Sequence, residues 1–582
     1  LATIGKKQYK RTGDMNSKGG RYILKKYYVL LCIFFIISPT AVQGLSLNLR
    51  NNATEQQNGT SDIQIKITDG ICLTVELYNQ GSIDATDLHL TIGVKKGSLL
   101  FIPIKTYAIS RLAALHSTTR HILLFGFNQG VFQENPLLMI SVDSQTTQMV
   151  HALVSLNVRG MKTTIRNEVF NTAESFEGYT LFSPEYSKYT YLINNKGIIV
   201  RIWKSGYIQG LANYLLPTGE LLRLDLPGGN PTFRGGGIAG RVEKFDTAGA
   251  LVWEFEYSTS SYCAHHDVEP LPSGNVLLIA WEYKTRQEAI DAGRDPAQQA
   301  DALWPDHIIE VQPTGSSGGT IVWEWHVWDH LIQDYDPLKA NYGVVAEHPE
   351  LIDINYVTRS QDWNHINAID YNEELDQILV SVHEFNEIWV IDHSTTTEEA
   401  ASHTGGNSGK GGDLLYRWGN PEAYQAGTAA DKQFFGQHGA SWVEAGCPGE
   451  GDILVFNNGQ SRRYSSVDEI IPPLNSTGLY TYTPGEAYGP DAPVWVFTTD
   501  PSTDMYSNLL SNAQRLPNGN TLICSAQQGL LLEVTPEKTI VWKYRNFLPT
   551  PFTNAVARAF RYPPNHPGSI PSLASPSFLP FT

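Results

Sequence analysis

From about residue 179 onward the chain repeats one pattern: a glycine-containing or polar turn, then an aliphatic run closed by aromatic residues. The copies are Gly197-Ile198-Ile199-Val200-Arg201-Ile202-Trp203, Ala250-Leu251-Val252-Trp253-Glu254-Phe255, Thr320-Ile321-Val322-Trp323-Glu324-Trp325, Leu414-Leu415-Tyr416-Arg417-Trp418, Pro493-Val494-Trp495-Val496-Phe497 and Thr539-Ile540-Val541-Trp542-Lys543-Tyr544. Short apolar runs bounded by turn residues predict β-strands. Two further strands precede such a run in a recurring succession. Asn275-Val276-Leu277-Leu278-Ile279 leads to His307-Ile308-Ile309-Glu310-Val311, and Ile378-Leu379-Val380-Ser381-Val382 to Glu387-Ile388-Trp389-Val390-Ile391. Thr521-Leu522-Ile523-Cys524 leads in the same way to Leu530-Leu531-Leu532-Glu533-Val534. Four-strand units at irregular spacing predict a propeller rather than a solenoid of strict period. Six tryptophan runs predict six blades over residues 175–565. Trp253, Trp323, Trp418, Trp495 and Trp542 are then expected to be buried between neighbouring blades, where a large ring contributes most.

Upstream the rhythm differs. Ile71-Cys72-Leu73-Thr74-Val75-Glu76-Leu77 and Leu88-His89-Leu90-Thr91-Ile92 alternate with period two, and residues 45–165 are expected to form a small β-sandwich. It contains no chemical constellation. Residues 15–44 hold Lys25-Lys26, an apolar run from Tyr27 to Ser38, and small residues ending at Gly44, the order of a secretory signal peptide. An uncleaved anchor is the alternative; either way the protein is expected to be exported. Asn52-Ala53-Thr54, Asn58-Gly59-Thr60 and Asn475-Ser476-Thr477 are glycosylation sequons. The segment from His326 to Asp362 interrupts the repeats and is expected to be a long loop over one mouth of the channel, and 566–582 a C-terminal tail. The overall class is therefore all-β.

Composition narrows the partners. Over 582 residues the net charge is -17, which argues against a nucleic-acid binder and requires a local positive pocket for any anionic substrate. Five cysteines are too few for a disulfide scaffold. Cys263 and Cys447 lie near candidate site histidines, where a bridge and two buried thiols are equally open readings.

The chemistry sits just ahead of certain strands. Ala264-His265-His266-Asp267, Asn364-His365-Ile366-Asn367 and Gln437-His438-Gly439-Ala440 each precede a short apolar run, and Leu510-Ser511-Asn512-Ala513-Gln514-Arg515 precedes a fourth. Aligned on their strands, His265, His365 and His438 fall at one level of the channel axis, with Asn367 and Asn512 two residues further along. Three imidazoles at one level suit unrelated structural histidines, a zinc, copper or iron site, or an anion site with a nucleophile. The metal reading lacks a cysteine pair or a His-x-x-x-His spacing, and Asp267 is the only carboxylate at that level.

Leu271-Pro272-Ser273-Gly274-Asn275, Asp362-Trp363-Asn364-His365-Ile366-Asn367, Gln437-His438 and Gln514-Arg515-Leu516-Pro517-Asn518-Gly519-Asn520-Thr521-Leu522-Ile523 together resemble the aryl-sulfate sulfotransferases, exported enzymes independent of a nucleotide sulfate donor. The resemblance runs from about residue 180 to 565 and implies a six-bladed propeller preceded by a small β-sandwich. It implies ping-pong transfer of a sulfuryl group from an aryl sulfate to a phenol, with His438 as the transiently sulfated nucleophile. His265 or His266, His365 and Asn367 would surround the sulfuryl group, with His365 moving the proton. One departure is His383, which stands where some members carry arginine; Arg515 from another blade is the candidate replacement cation, with a surface or inter-blade arginine as the other reading. His266, His383, Asn512 and Arg515 complete the expected substrate contacts. No cofactor is expected, partners are small aryl sulfates and phenols, and a homodimer is left open. A non-catalytic binding propeller and a quinoprotein-type dehydrogenase are the competing functions.

Overall fold

The aliphatic–tryptophan runs are the outer strands of six antiparallel sheets. These sheets are seen in a computed structural model of the chain. It describes residues 46–49, 63–68, 73–79, 82–94, 105–122, 126–127, 137–143, 150–160, 162–166 and 169–569, apart from 198, 299, 358–359, 476–477, 547 and 549–553. The expected leader, the sequons at Asn52 and Asn58, Cys72 and most of the C-terminal tail lie outside the described residues. Among the described residues no helix is long and apolar enough to cross a membrane.

Each blade runs from an inner strand to an outer one. The second consists of Ile208–Leu215, Leu221–Leu226, Arg241–Phe245 and Leu251–Glu256; the third of Tyr262–Pro270, Val276–Glu282, Asp306–Pro313 and Gly319–His326. The fourth consists of Ile366–Asn372, Gln377–Val382, Glu387–Asp392 and Tyr416–Trp418, and the fifth of His438–Trp442, Ile453–Asn457, Ser466–Ile470 and Trp495–Phe497. The sixth runs from Asn512–Arg515 through Thr521–Ser525 and Leu530–Val534 to Ile540–Arg545, and adds Phe170–Asn171 at its outer edge. The first blade joins the two ends of the domain. Tyr179–Pro184, Tyr189–Asn194 and Ile199–Lys204 receive their inner strand, Val556–Tyr562, from the C-terminal end of the propeller. Consecutive inner strands touch all the way round, which closes the ring.

The tryptophans do more than fill space. The indole N–H of Trp253 donates to Gly318 O (2.8 Å), that of Trp323 to Thr395 Oγ1 (3.1 Å), and that of Trp418 to Pro490 O (2.7 Å). Trp495 donates to Pro536 O (2.8 Å) and Trp542 to Asn195 O (2.7 Å). Each acceptor lies between the third and fourth strands of the next blade. Four of the five expected rings are buried, whereas Trp495 is only half-buried. Trp203 is buried too, yet its indole nitrogen has no partner. Trp542→Phe is therefore expected to cost about 1 kcal/mol more in denaturant unfolding than Trp203→Phe, since only the former discards a hydrogen bond. Equal losses would show that these bonds contribute nothing.

Between residues 46 and 166 the described strands form two antiparallel sheets, one of four strands and one of six. In Leu73–Asn79 the buried Leu73, Val75 and Leu77 alternate with half-buried Thr74, Glu76 and Tyr78, as period two requires. The segment from His326 to Asp362 is more ordered than a loop. It contains the parallel pair Leu331–Ile332 and Ile352–Asp353 and is fastened to the outer strand of the fourth blade by Arg417 Nη1, which donates to Pro349 O (3.2 Å) and Leu351 O (2.9 Å). Its last residue, Asp362, reaches the channel histidines.

Candidate functional site

The inner strands are bulged where they meet the channel. Register shifts fall between Gln209 and Asn213, Ala264 and Val268, Ile366 and Ala368, and His438 and Ser441. One extra residue in the fourth and fifth blades, and two in the second and third, re-aim the side chains around them. Leu211 (φ 87°) and His266 (φ 55°) lie inside these shifts, while His365 (φ 54°) and Ser511 (φ 90°) stand just ahead of their inner strands; all four are in a region that costs a non-glycine residue about 1–3 kcal/mol. Such strain persists only where the surrounding structure holds it.

One consequence corrects the strand alignment. The bulge puts His266, not His265, against the cavity that Leu211, Asn367, His438, Ser511 and Arg558 also line. The cavity measures about 10 Å³, close to one water-sized group, so an aromatic ring stays outside it. Four imidazoles stand in a row beside it: ring centroids are 4.6 Å apart for His266 and His365, 5.3 Å for His365 and His383, and 5.2 Å for His383 and His438. Rings in a row differ from a set converging on one point, the arrangement a metal requires.

His438 has one free nitrogen. Its Nδ1 faces Asn458 Oδ1 (2.9 Å) and Gly436 O (3.2 Å). The Asn458 amide is oriented by donating Nδ2 to Ser507 O (2.8 Å) and Leu510 O (2.9 Å), which turns its oxygen to the imidazole. Nδ1 must then carry the hydrogen, and Nε2 holds the lone pair. Burial, then the neighbouring His383 ring, holds the His438 pKa well below its ordinary value, so the ring is neutral at neutral pH. Gly439 follows (φ 61°), and a Cβ there would come within 2.6 Å of Ser511 O. The glycine is required by the approach of the sixth blade rather than by room for a group on His438.

His365 is set the other way. Its Nδ1 pairs with Asp362 Oδ2 at 2.6 Å, and Asp362 Oδ1 accepts the indole N–H of Trp281 (2.8 Å). Burial opposes the charge on His365, but Asp362 and, less strongly, Asp306 outweigh it and raise the pKa above the usual histidine value. The two imidazoles are thus poised apart, one neutral with a lone pair on Nε2 and the other favoured in its protonated form.

His265 backs His266. Its Nδ1 is 2.9 Å from His266 Nδ1 and its Nε2 is 2.8 Å from Asp306 Oδ1. Burial lowers the His265 pKa to about 3 and pushes the Asp306 carboxyl well above its usual range. With the shared proton on Asp306, His266 has N–H at Nε2; with the proton on His265 Nε2, His266 has a lone pair there. The chain has these two settings, and His265 serves as a positioning residue. A Cβ on Gly237 (φ 74°) would lie 2.1 Å from the His266 ring, so the Gly237 backbone rests directly on the imidazole.

The cavity's fixed positive charge is Arg558, on the C-terminal inner strand. It pairs with Asp267 Oδ2 and donates Nη2 to Asn367 O (2.6 Å), while Tyr214 OH and Ile369 N donate to Asp267 (2.8 and 3.0 Å). Burial opposes its charge; Asp267 and Tyr214 more than restore it, so Arg558 stays ionised. Asn367 donates Nδ2 to Gln437 O (2.8 Å) and leaves Oδ1 without a partner at the cavity wall.

Other expected residues have structural employment. Asn512 clamps two inner strands, accepting from Ala559 N (3.0 Å) and donating to Ala559 O (3.1 Å). Arg515 is an inter-blade arginine, bound to Glu469 Oε2 at 2.6 Å and away from the cavity. His383 lies between His365 and His438, but Glu384 Oε1 (2.9 Å) and Gln460 Nε2 (3.1 Å) occupy both its nitrogens. Cys263 and Cys447 are free thiols, not a bridge. Sequence reasoning missed Arg558, Asp306 and Asn458. The alternating Val556-Ala557-Arg558-Ala559 was a strand signal for the first; nothing local marked the other two.

A family model described as Arylsulfotransferase (ASST) matches residues 144–547. No curated protein matches the chain in sequence. Among solved structures, a protein of unknown function from Bacteroides caccae is similar at 13% identity and TM-score 0.37, covering 66% of this chain and 99% of its own. The hydrazine synthase of Kuenenia stuttgartiensis is similar at 10% identity and TM-score 0.30, covering 69% of this chain and 92% of its own. Neither likeness bears on function.

Proposed function

Because the chain belongs to the arylsulfotransferase family, we propose that it moves a sulfuryl group from an aryl sulfate to a phenolic acceptor in two displacements through His438. The observation that carries this reading is the neutral imidazole of His438, with Nδ1–H tied to Asn458 and the lone pair left on Nε2. In the first displacement Nε2 attacks sulfur, an N–S bond forms, and the bond from sulfur to the phenolic oxygen breaks. His365, whose pKa Asp362 raises, gives its proton to the departing phenolate. In the second, a new phenol returns a proton to His365 as its oxygen attacks sulfur, and the N–S bond breaks. Arg558 supplies positive charge to the sulfuryl oxygens, with Asn367 and His266 beside them. The aryl rings remain at the mouth of the cavity, and no nucleotide donor takes part.

Two further parts belong to this proposal. The basic-then-apolar leader supports export, and the buried faces of the two N-terminal sheets support a sandwich.

The test is turnover of 4-nitrophenyl sulfate with and without phenol, in the absence of nucleotides. Phenol is expected to accelerate nitrophenolate release, with phenyl sulfate formed one for one; absence of phenyl sulfate would sink the proposal. In Asp362→Asn the His365 pKa loses a supporting charge and falls. Leaving-group protonation needs charged His365, so the rate decline on raising pH should move to lower pH. An unmoved profile would remove this pair from proton transfer.

A further inference from the structure

Away from the channel, the loop entering the outer strand of the fourth blade brings three ligand-type side chains together. His330 lies in the segment that links the third and fourth blades, His403 follows the short helix Thr397–Ala400, and Asp413 precedes Tyr416–Trp418. Both His330 Nδ1 and His403 Nδ1 stand 2.8 Å from Asp413 Oδ1, and the ligand atoms of all three residues lie within 4.8 Å of one another. None of the three lines the sulfuryl cavity.

The hydrogen-bond logic at His330 asks for a positive centre. Its Nε2 is 2.8 Å from Ala400 O, an atom that can only accept, so Nε2 carries the hydrogen. In the neutral ring Nδ1 is then a lone pair aimed at a carboxylate oxygen, and His403 Nδ1 is directed at the same oxygen. His403 Nδ1 can carry its own hydrogen toward that oxygen, so the His330 lone pair is the contact left to settle, by a second proton or by a metal ion. A metal ion would satisfy both nitrogens and the oxygen together. The Nε2–H to carbonyl contact is the one a ligating histidine commonly makes with its other nitrogen. His330 is also held in place: it is fully buried, and its ring stacks on Trp325 at 5.6 Å, while Trp325 Nε1 donates to Gly412 O (2.7 Å). The side chain of His403 is 60% exposed, which leaves a coordination position open to water.

We propose that His330, His403 and Asp413 bind a divalent transition-metal ion of the zinc class. Two imidazoles and a carboxylate suit that class. The ion would tie the glycine-rich turn between His403 and Asp413 to the segment carrying His330, offsetting the entropy of ordering that turn.

The test uses the full chain, freed of metal by chelation and then titrated with zinc, and with cobalt(II) as a spectroscopic probe. Expected are one equivalent bound, the visible absorption of cobalt in a nitrogen–oxygen site, and a rise in melting temperature. His403→Ala, which alters an exposed side chain and leaves the core alone, should weaken zinc binding at least about tenfold while sulfuryl transfer is unchanged. Asp413→Asn should do the same to binding. Failure to bind a stoichiometric ion, or equal affinity in His403→Ala, would overturn the proposal. Binding that survives His403→Ala and is lost in His266→Ala would also overturn it, by moving the ion to the channel.

Discussion

His438→Asn is expected to lower sulfuryl transfer on the order of 10⁴-fold or more, because the lone pair of an amide nitrogen is delocalised into its carbonyl and does not attack sulfur. Quenching the wild-type protein with an aryl sulfate should add one sulfuryl group to the peptide that contains His438. The neighbouring imidazoles make this a sharp experiment. His266 shares the cavity and His365 stands next in the row, so each is a rival acceptor. Only His438 has its Nδ1–H directed to a neutral amide and a backbone carbonyl. His365 has a carboxylate behind it, which favours the protonated ring, and His266 Nδ1 is engaged by His265 Nδ1. His365→Asn should therefore slow transfer strongly while sparing donors of very acidic phenols, which leave without a proton. The assignment fails if the label is found on His266 or His365, or if His438→Asn retains near-normal rates.

Arg558→Met should cost about 3–5 kcal/mol of stability, since it strands the Asp267 carboxylate in a buried site. The same change should lower transfer by roughly 10²-fold, if its charge also meets the sulfuryl oxygens. The double variant Arg558→Met, Asp267→Asn separates the two effects. It removes both charges, so much of the stability should return, as read by denaturant unfolding. The transfer rate should stay low. Recovery of rate together with stability would reduce Arg558 to a structural ion pair.

Arg558 also marks a limit of the sequence reading. Its charge was sought at Arg515, whose motif continues into a recognisable strand, but whose guanidinium is spent on Glu469 of the adjacent blade. Which arginine stays at the channel depends on partners distant in sequence: Asp267 for one, Glu469 for the other. No local spacing records those pairings. His265 and His266 pose the same problem on a smaller scale. Adjacent residues on a regular strand point to opposite faces, but the stretch from Ala264 to Val268 sets two extra residues against its partner and His266 within it has φ 55°, so alternation alone does not say which imidazole faces the cavity.

By itself the sequence determined the repeated strands, the six blades and the placing of His365, Asn367 and His438 at the start of inner strands. Those features rest on alternation, turn residues and short motifs, all local properties of the chain. Only the tertiary structure decided that His266 lines the cavity, that Asp362 raises the His365 pKa, and that Asn458 selects the free nitrogen of His438. It also brought the C-terminal strand, with Arg558, beside Tyr179–Pro184. The physical reason is that protonation and charge at the site are fixed by burial and by partners on other strands, and those partners meet only when the ring of blades closes.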